Sequence, residues 1–191
     1  MTLSPWPVLG SRPVFDAGLF QVSCDRTRSP RTGGEHEVHV IHMVDWLMVV
    51  PLTTEGRLVL VRQYRHGSRA MSLELPGGLH DGRGERPETG AARELAEETG
   101  YGGGELLLLG ALHPQPALLS NRLWIYLARG VRPTTPPALD AGEYIELVLL
   151  DPADLPARLA AGEINNAMVL AALAMADCGG HLAPEPKERK Q

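Results

Sequence analysis

Apolar and polar positions alternate with a period of two over 20–28 and 35–43, on either side of Arg31-Thr32-Gly33-Gly34, a pattern that predicts a β-hairpin. After Asp45 an apolar run over 46–52 predicts a buried strand. Thr54-Glu55-Gly56 then turns the chain into a second strand over 57–63, and a short third over 73–75 stops at Pro76-Gly77-Gly78. The period becomes helical over 87–99. Pro87 suits the first helical position, where a missing N–H costs little, and Gly100 suits the residue just past the last turn. Strands are predicted again over 106–112, 123–128 and 144–150, followed by helical segments over 151–161 and 164–177. The stretch 131–141, rich in Pro, Thr and Ala, reads as a long loop, and the charged, proline-bearing last dozen residues as a frayed end. The sum is an α+β fold in which few helices pack on a mixed sheet.

Composition narrows the class. A chain of 191 residues suits one domain with a well-buried core. Its net charge of −5 argues against binding nucleic acid through a broad basic surface, although local arginines or a metal ion can still make one cleft cationic. The two cysteines, Cys24 and Cys178, lie far apart without metal-type spacing, which points to a reducing compartment and no disulfide framework. The first residues lack a basic start followed by an apolar core, and the longest apolar run, 167–176, is too short to span a bilayer. The expected location is cytoplasmic, with no membrane partner.

Candidate chemistry lies on the 87–99 helix. Glu94, Glu97 and Glu98 stand at i, i+3 and i+4, so three carboxylates leave one face within a turn. They occupy the half of the helix where its dipole disfavours negative charge, with Arg93 as the nearby cation. A solvated acidic face is one reading. A site for a divalent cation is the other, because a bound ion turns these repulsions into ligation, and all-oxygen donors favour Mg²⁺ or Mn²⁺ over zinc.

The surrounding residues extend the pattern. Seven residues separate Glu85 from Arg93-Glu94-Leu95-Ala96-Glu97-Glu98-Thr99-Gly100, and Tyr101 follows. The stretch from Gly78 to Tyr101 thereby resembles the Nudix box, Gly-x5-Glu-x7-Arg-Glu-U-x-Glu-Glu-x-Gly-U, where U is apolar. It departs from the pattern once: six residues, not five, separate Gly78 from Glu85, and the extra one falls in Asp81-Gly82-Arg83-Gly84. A loop absorbs such an insertion readily, so the helix register is expected to be intact. The resemblance covers most of the chain. Arg62-Gln63-Tyr64-Arg65-His66, then Leu73-Glu74-Leu75-Pro76-Gly77-Gly78, is similar to the branch that includes the ADP-ribose pyrophosphatases. So is Pro116, fifteen residues after Tyr101, within a 113–122 segment similar to a substrate loop of that branch.

The resemblance implies a Nudix α/β/α sandwich over 45–178, an N-terminal strand or hairpin extension over 1–44, and a flexible tail over 179–191. It implies Glu94 and Glu98 as metal ligands, Glu97 as a ligand or a holder of metal-bound water, and the Gly77 carbonyl completing the set. Arg93 would orient the glutamates, or make only an i,i+4 helix contact. Glu85 would accept hydrogen bonds or touch a further metal, or merely favour the helix N-terminus by its charge. Glu143 is the candidate base or additional ligand, with Glu146 or a box glutamate as alternatives. Relatives can carry a second acid two residues before that base, where this chain has Ala141. Arg62, Arg65 and Arg122 are candidates to grip phosphate, or are plain surface charges. Trp46 would stack on a base or belong to the core.

The activity implied is Mg²⁺- or Mn²⁺-dependent cleavage of nucleoside diphosphate sugars, such as ADP-ribose or GDP-mannose, to a nucleoside monophosphate and a sugar phosphate. The alternatives are pyrophosphohydrolysis of nucleoside triphosphates or dinucleoside polyphosphates, and a nucleotide-sugar sensor without turnover. Relatives of this kind are often homodimers whose N-terminal strands complete the partner's nucleotide site, a part that 15–43 would play.

Overall fold

The computed structural model describes residues 3–80, 82 and 84–182. Asp81 and Arg83, where the box carries its extra residue, lie outside them, as does 183–191, most of the expected tail. The predicted hairpin forms from β2 (Phe20–Arg28) and β3 (Glu35–Met43), and a strand that alternation did not reveal, β1 (Val8–Asp16), makes it a three-stranded antiparallel sheet. Gly10 and Pro13 interrupt β1, and eight of its nine residues are exposed, so no buried face imposes a period of two. Hydrogen bonds between Ile41 of β3 and Leu118 and Ser120 tie this sheet to the rest of the chain.

The main sheet has seven strands: β4 (Trp46–Thr53), β5 (Leu58–Arg65), β6 (Ala70–Glu74), β7 (Tyr101–Gly102), β8 (Glu105–Leu112), β9 (Leu123–Pro133) and β10 (Ile145–Leu150). It is mixed, as expected: β4 runs parallel to β9, and the other pairings are antiparallel. The strand β9 continues to Pro133, beyond the expected end at 128, because Arg132 and Pro133 pair with the short β7. Alternation along β4 divides the core in two. Val49 joins Val59, Ala91, Leu95 and Tyr126 under α1 (Pro87–Thr99), while Met48 and Val50 join Leu60, Leu73, Val169 and Leu173 under α3 (Ala167–Cys178). The short helix α2 (Leu155–Ala160) connects β10 to α3. A sheet between helical layers is the expected α/β/α sandwich. No helix among the described residues is long and apolar enough to cross a membrane.

The helix α1 spans the predicted residues. Pro87 stands in its first turn, and Gly100 ends it at φ 75°, its N–H donating to the Ala96 carbonyl at 2.8 Å. A side chain at Gly100 would also meet the Thr135 carbonyl oxygen at 2.3 Å, so both conformation and space select glycine.

Candidate active site

Ala91, Leu95 and Glu98 stand at i, i+4 and i+7 on α1 and are all buried, so a carboxylate occupies the stripe that should be apolar. Glu98 is 5% exposed, and its Oε2 accepts the Gly77 N–H at 2.9 Å. Gly77 follows β6 alongside β4: the Pro76 carbonyl accepts the Val49 N–H, and Gly78 exchanges two backbone hydrogen bonds with Leu47. The Gly77 amide thus faces the α1 carboxylates. Rigid backbone selects glycine at 77, whereas at 78 only the movable end of a glutamate stands in the way. A Cβ on Gly77 would lie 2.1 Å from the Leu47 carbonyl oxygen, and one on Gly78 would lie 2.5 Å from the Glu94 carboxyl carbon.

Burial pushes the Glu98 carboxyl up to about 8, opposed by the Gly77 N–H and reinforced by the charges of Glu143 and Glu94. Glu94 is raised too, first by burial and against the pull of Arg93, with Glu97 and Glu143 adding to the rise. Arg93 is the hub. Its Nη1 donates to Glu94 at 2.9 Å and to Glu97 at 2.8 Å, and its Nε and Nη2 reach the two Glu85 oxygens at 3.4 Å each. Burial disfavours its charge, but these acceptors hold its pKa above the ordinary arginine value. The extra residue before Glu85 therefore leaves Glu85 opposite Arg93.

A cleft of about 220 Å³ is lined by Glu94, Glu97, Glu98, Glu143, Asp140 and Arg93, with Gly78 at its edge. Asp140 is an acid that sequence reasoning passed over. Its N–H donates to the Glu143 carboxylate at 2.9 Å, and the Glu143 N–H donates back to its carbonyl at 2.9 Å, so one turn presents both acids. This oxygen-only set, rich in negative charge around a dry carboxyl that resists ionising, fits a hard divalent cation. Among the described residues no three of these groups converge at coordinating distance. Glu94 and Glu97 each lend an oxygen to Arg93, and Glu98 lends one to Gly77.

Beside this cleft lies a cavity of about 970 Å³ that shares Gly78, Leu79, Glu98 and Glu143 with it. Trp46, Tyr64, Arg65 and Tyr144 line it, along with Asn165 and Asn166, and Leu19 and Met43 bring the N-terminal sheet to its wall. Trp46 and Arg65 thus border the cavity, and Trp46 also packs against the core. Arg62 does not line the cavity: Glu146 and Glu163 hold its guanidinium at 3.2 Å each. Arg62 and Arg65 are three apart on one strand, so their side chains leave from opposite faces. That pairing also engages Glu146, the alternative base, away from both clefts. Arg122 and Pro116 are exposed and line neither cleft.

One pairing went unnoticed in the sequence. Glu74, 1% exposed, accepts Arg65 Nε at 3.0 Å and Nη2 at 2.8 Å. Its signal was present: an acid between two leucines just before Pro76-Gly77-Gly78.

Known proteins resemble this chain in sequence and fold. The NUDIX domain model matches residues 41–172. The ADP-ribose pyrophosphatase of Mycobacterium tuberculosis is 30% identical over 164 residues, 85% of this chain and 79% of that protein. The ADP-ribose pyrophosphatase of Bacillus subtilis is 32% identical over 101 residues, 52% of this chain and 54% of that one. A crystal structure of an ADP compounds hydrolase superposes with a TM-score of 0.79 at 25% identity, covering 95% of this chain and 99% of that one. The matched region contains α1, the Gly77 turn and the acidic 140–143 turn, and the chain belongs to the Nudix family of hydrolases.

Proposed function

We propose that the chain hydrolyses the diphosphate linkage of nucleoside diphosphate sugars, ADP-ribose first among them, with Mg²⁺ or Mn²⁺. The observation that carries this reading is the shared wall of the two clefts: a cavity of about 970 Å³ with aromatic and amide side chains opens at Glu98 and Glu143 onto the acidic cleft. A diphosphate at that junction leaves room for a nucleoside and a sugar in the larger space. The names of the two pyrophosphatase relatives and of the similar structure support ADP-linked substrates.

Glu94, Glu97, Glu98 and the Gly77 carbonyl would hold the ions. Bound there, a divalent cation neutralises diphosphate charge and makes water more acidic. Arg93 keeps the glutamates in register while Glu85 anchors its other edge. Glu143, on the exposed turn that borders both clefts, takes the proton of the attacking water. The water oxygen bonds to one phosphorus as that phosphorus parts from the bridging oxygen, and the monophosphate and sugar phosphate leave. Arg65 grips a phosphate at the cavity side of the junction, and Trp46 and Tyr64 offer aromatic faces to base or sugar.

The molecule also acts as a homodimer in this reading. The N-terminal sheet leaves Trp6, Val8, Phe15 and Leu19 largely exposed, an apolar surface that a second copy would cover. Turnover of ADP-ribose, GDP-mannose and a nucleoside triphosphate panel with Mg²⁺ tests the substrate class. Preference for ADP-ribose is expected; preference for triphosphates would replace this reading, and no turnover of any diphosphate would remove it.

A further inference from the structure

We infer that Glu74 is a positioning residue: it fixes the Arg65 guanidinium at the diphosphate junction, and Asn166 couples that fixation to the first turn of α3. The inference rests on the proposed diphosphate site. A carboxylate that is 1% exposed must be paired, and Arg65 supplies both N–H groups of its Nε–Nη2 edge. Guanidinium has five N–H donors in a rigid plane. The Nη1–Nη2 edge therefore keeps two parallel donors, the geometry that matches two oxygens of one phosphate. Arg65 lines the large cavity with Glu98 and Glu143, and its side chain is about half exposed, so the outer part of the guanidinium reaches solvent where a ligand would lie.

A long arginine side chain at a cavity mouth would otherwise sample many rotamers, and ordering it would oppose binding. Glu74 removes that freedom before a ligand arrives. The Asn166 Nδ2 donates to Glu74 Oε2 at 3.1 Å, while its Oδ1 caps α3 by accepting the Met168 N–H at 2.9 Å. One amide thus serves two ends, and the two roles can be separated by substitution. The remaining polar neighbour, Ser72, donates to Asn165 at 2.9 Å and completes this wall. Burial opposes the Glu74 charge, yet Arg65 and the Asn166 amide hold the carboxyl below its ordinary range, so the fork stays ionic at neutral pH.

The test is a double-substitution cycle on the full chain, reading kcat and KM for ADP-ribose with Mg²⁺ and Tm for each variant. Glu74→Gln should lower kcat/KM roughly tenfold to a hundredfold, the range of a hydrogen bond to a charged group. In an Arg65→Ala background the same change should cost less than about twofold, because its target is gone. Asn166→Ser keeps a capping oxygen but loses the donor to Glu74. It should leave Tm near the wild-type value while lowering kcat/KM, again only when Arg65 is present, and it serves if Glu74→Gln folds poorly. Equal losses in both backgrounds, or a fall in Tm with kcat/KM unchanged, would overturn the inference and leave the hydrolase reading standing. If the wild-type chain cleaves no diphosphate, the hydrolase reading falls, and this inference with it.

Discussion

At the scale of single residues, the site is a set of charges placed where a soluble domain would ordinarily avoid them. Glu98 sits on the core stripe of α1, and Glu74 lies in the floor of the cavity beneath Arg65. The two are handled oppositely. Glu98 accepts the Gly77 N–H and, among the described residues, no cation, and burial raises its pKa; Glu74 has a bidentate arginine and is lowered. Glu74 gives a pH prediction with a definite sign. Its folded pKa lies below the ordinary 4.5, so its contribution to stability is fully present above about 4.5 and is lost as pH falls through the folded value. Thermal unfolding from pH 6 to pH 3 should show Glu74→Gln with a lower Tm near pH 6 and a shallower fall on acidification. Parallel curves would show that the pair adds no such linkage. The arginines mark what sequence leaves open. Arg62 and Arg65 have equal claims by residue type, and strand parity with the partners each meets separates them, a distinction that depends on knowing which face borders the cavity.

At the scale of elements, α1 and the Gly77 turn were the most legible parts of the chain because each needs particular residues. Pro87 opens the helix, Gly100 closes it in the left-handed region, and the spacing of Glu85, Arg93, Glu94, Glu97 and Glu98 follows from packing one helix face against one loop. Gly100→Ala should destabilise by about 1–2 kcal/mol from conformation alone, and by more through contact with Thr135, as measured by denaturant unfolding. A change within 0.5 kcal/mol would show that the cap can relax, on the scale of a neutral surface substitution. The strand β1 was illegible for the opposite reason: its residues are exposed, so no burial constrains their order. The acidic turn at 140–143 was only half read. Glu143 was picked out, but its reciprocal hydrogen bonds with Asp140 depend on a turn geometry that composition does not reveal.

At the scale of the whole molecule, two layers of helix on a mixed sheet bring together three segments separated in the sequence: the turn after β6, the second half of α1 and the turn before β10. The mixed sheet with helices packed on it could be read from the order of elements, and the α/β/α sandwich from the family resemblance, whereas the cavity could not, because its walls come from strand ends, loops and the N-terminal sheet together. The proposed dimer rests on the exposed apolar side chains at one end of that sheet, Trp6, Val8, Phe15 and Leu19, among otherwise polar neighbours. Light scattering should give twice the chain mass, and Phe15→Asp with Leu19→Asp should shift it toward one; a monomeric wild-type chain would contradict a shared site. The central claim is narrower, that Glu98 belongs to a diphosphate-cleaving centre, and one measurement tests it most directly. Wild-type and Glu98→Gln chains are given ADP-ribose with Mg²⁺, and AMP and ribose 5-phosphate are quantified beside Tm. The account predicts both products from the wild type, and at least about a hundredfold less from Glu98→Gln, the scale at which losing one charge-stabilising group acts, with Tm unchanged or higher because an amide removes a buried ionisable group. Undiminished product from Glu98→Gln, at a Tm showing it folded, would contradict it.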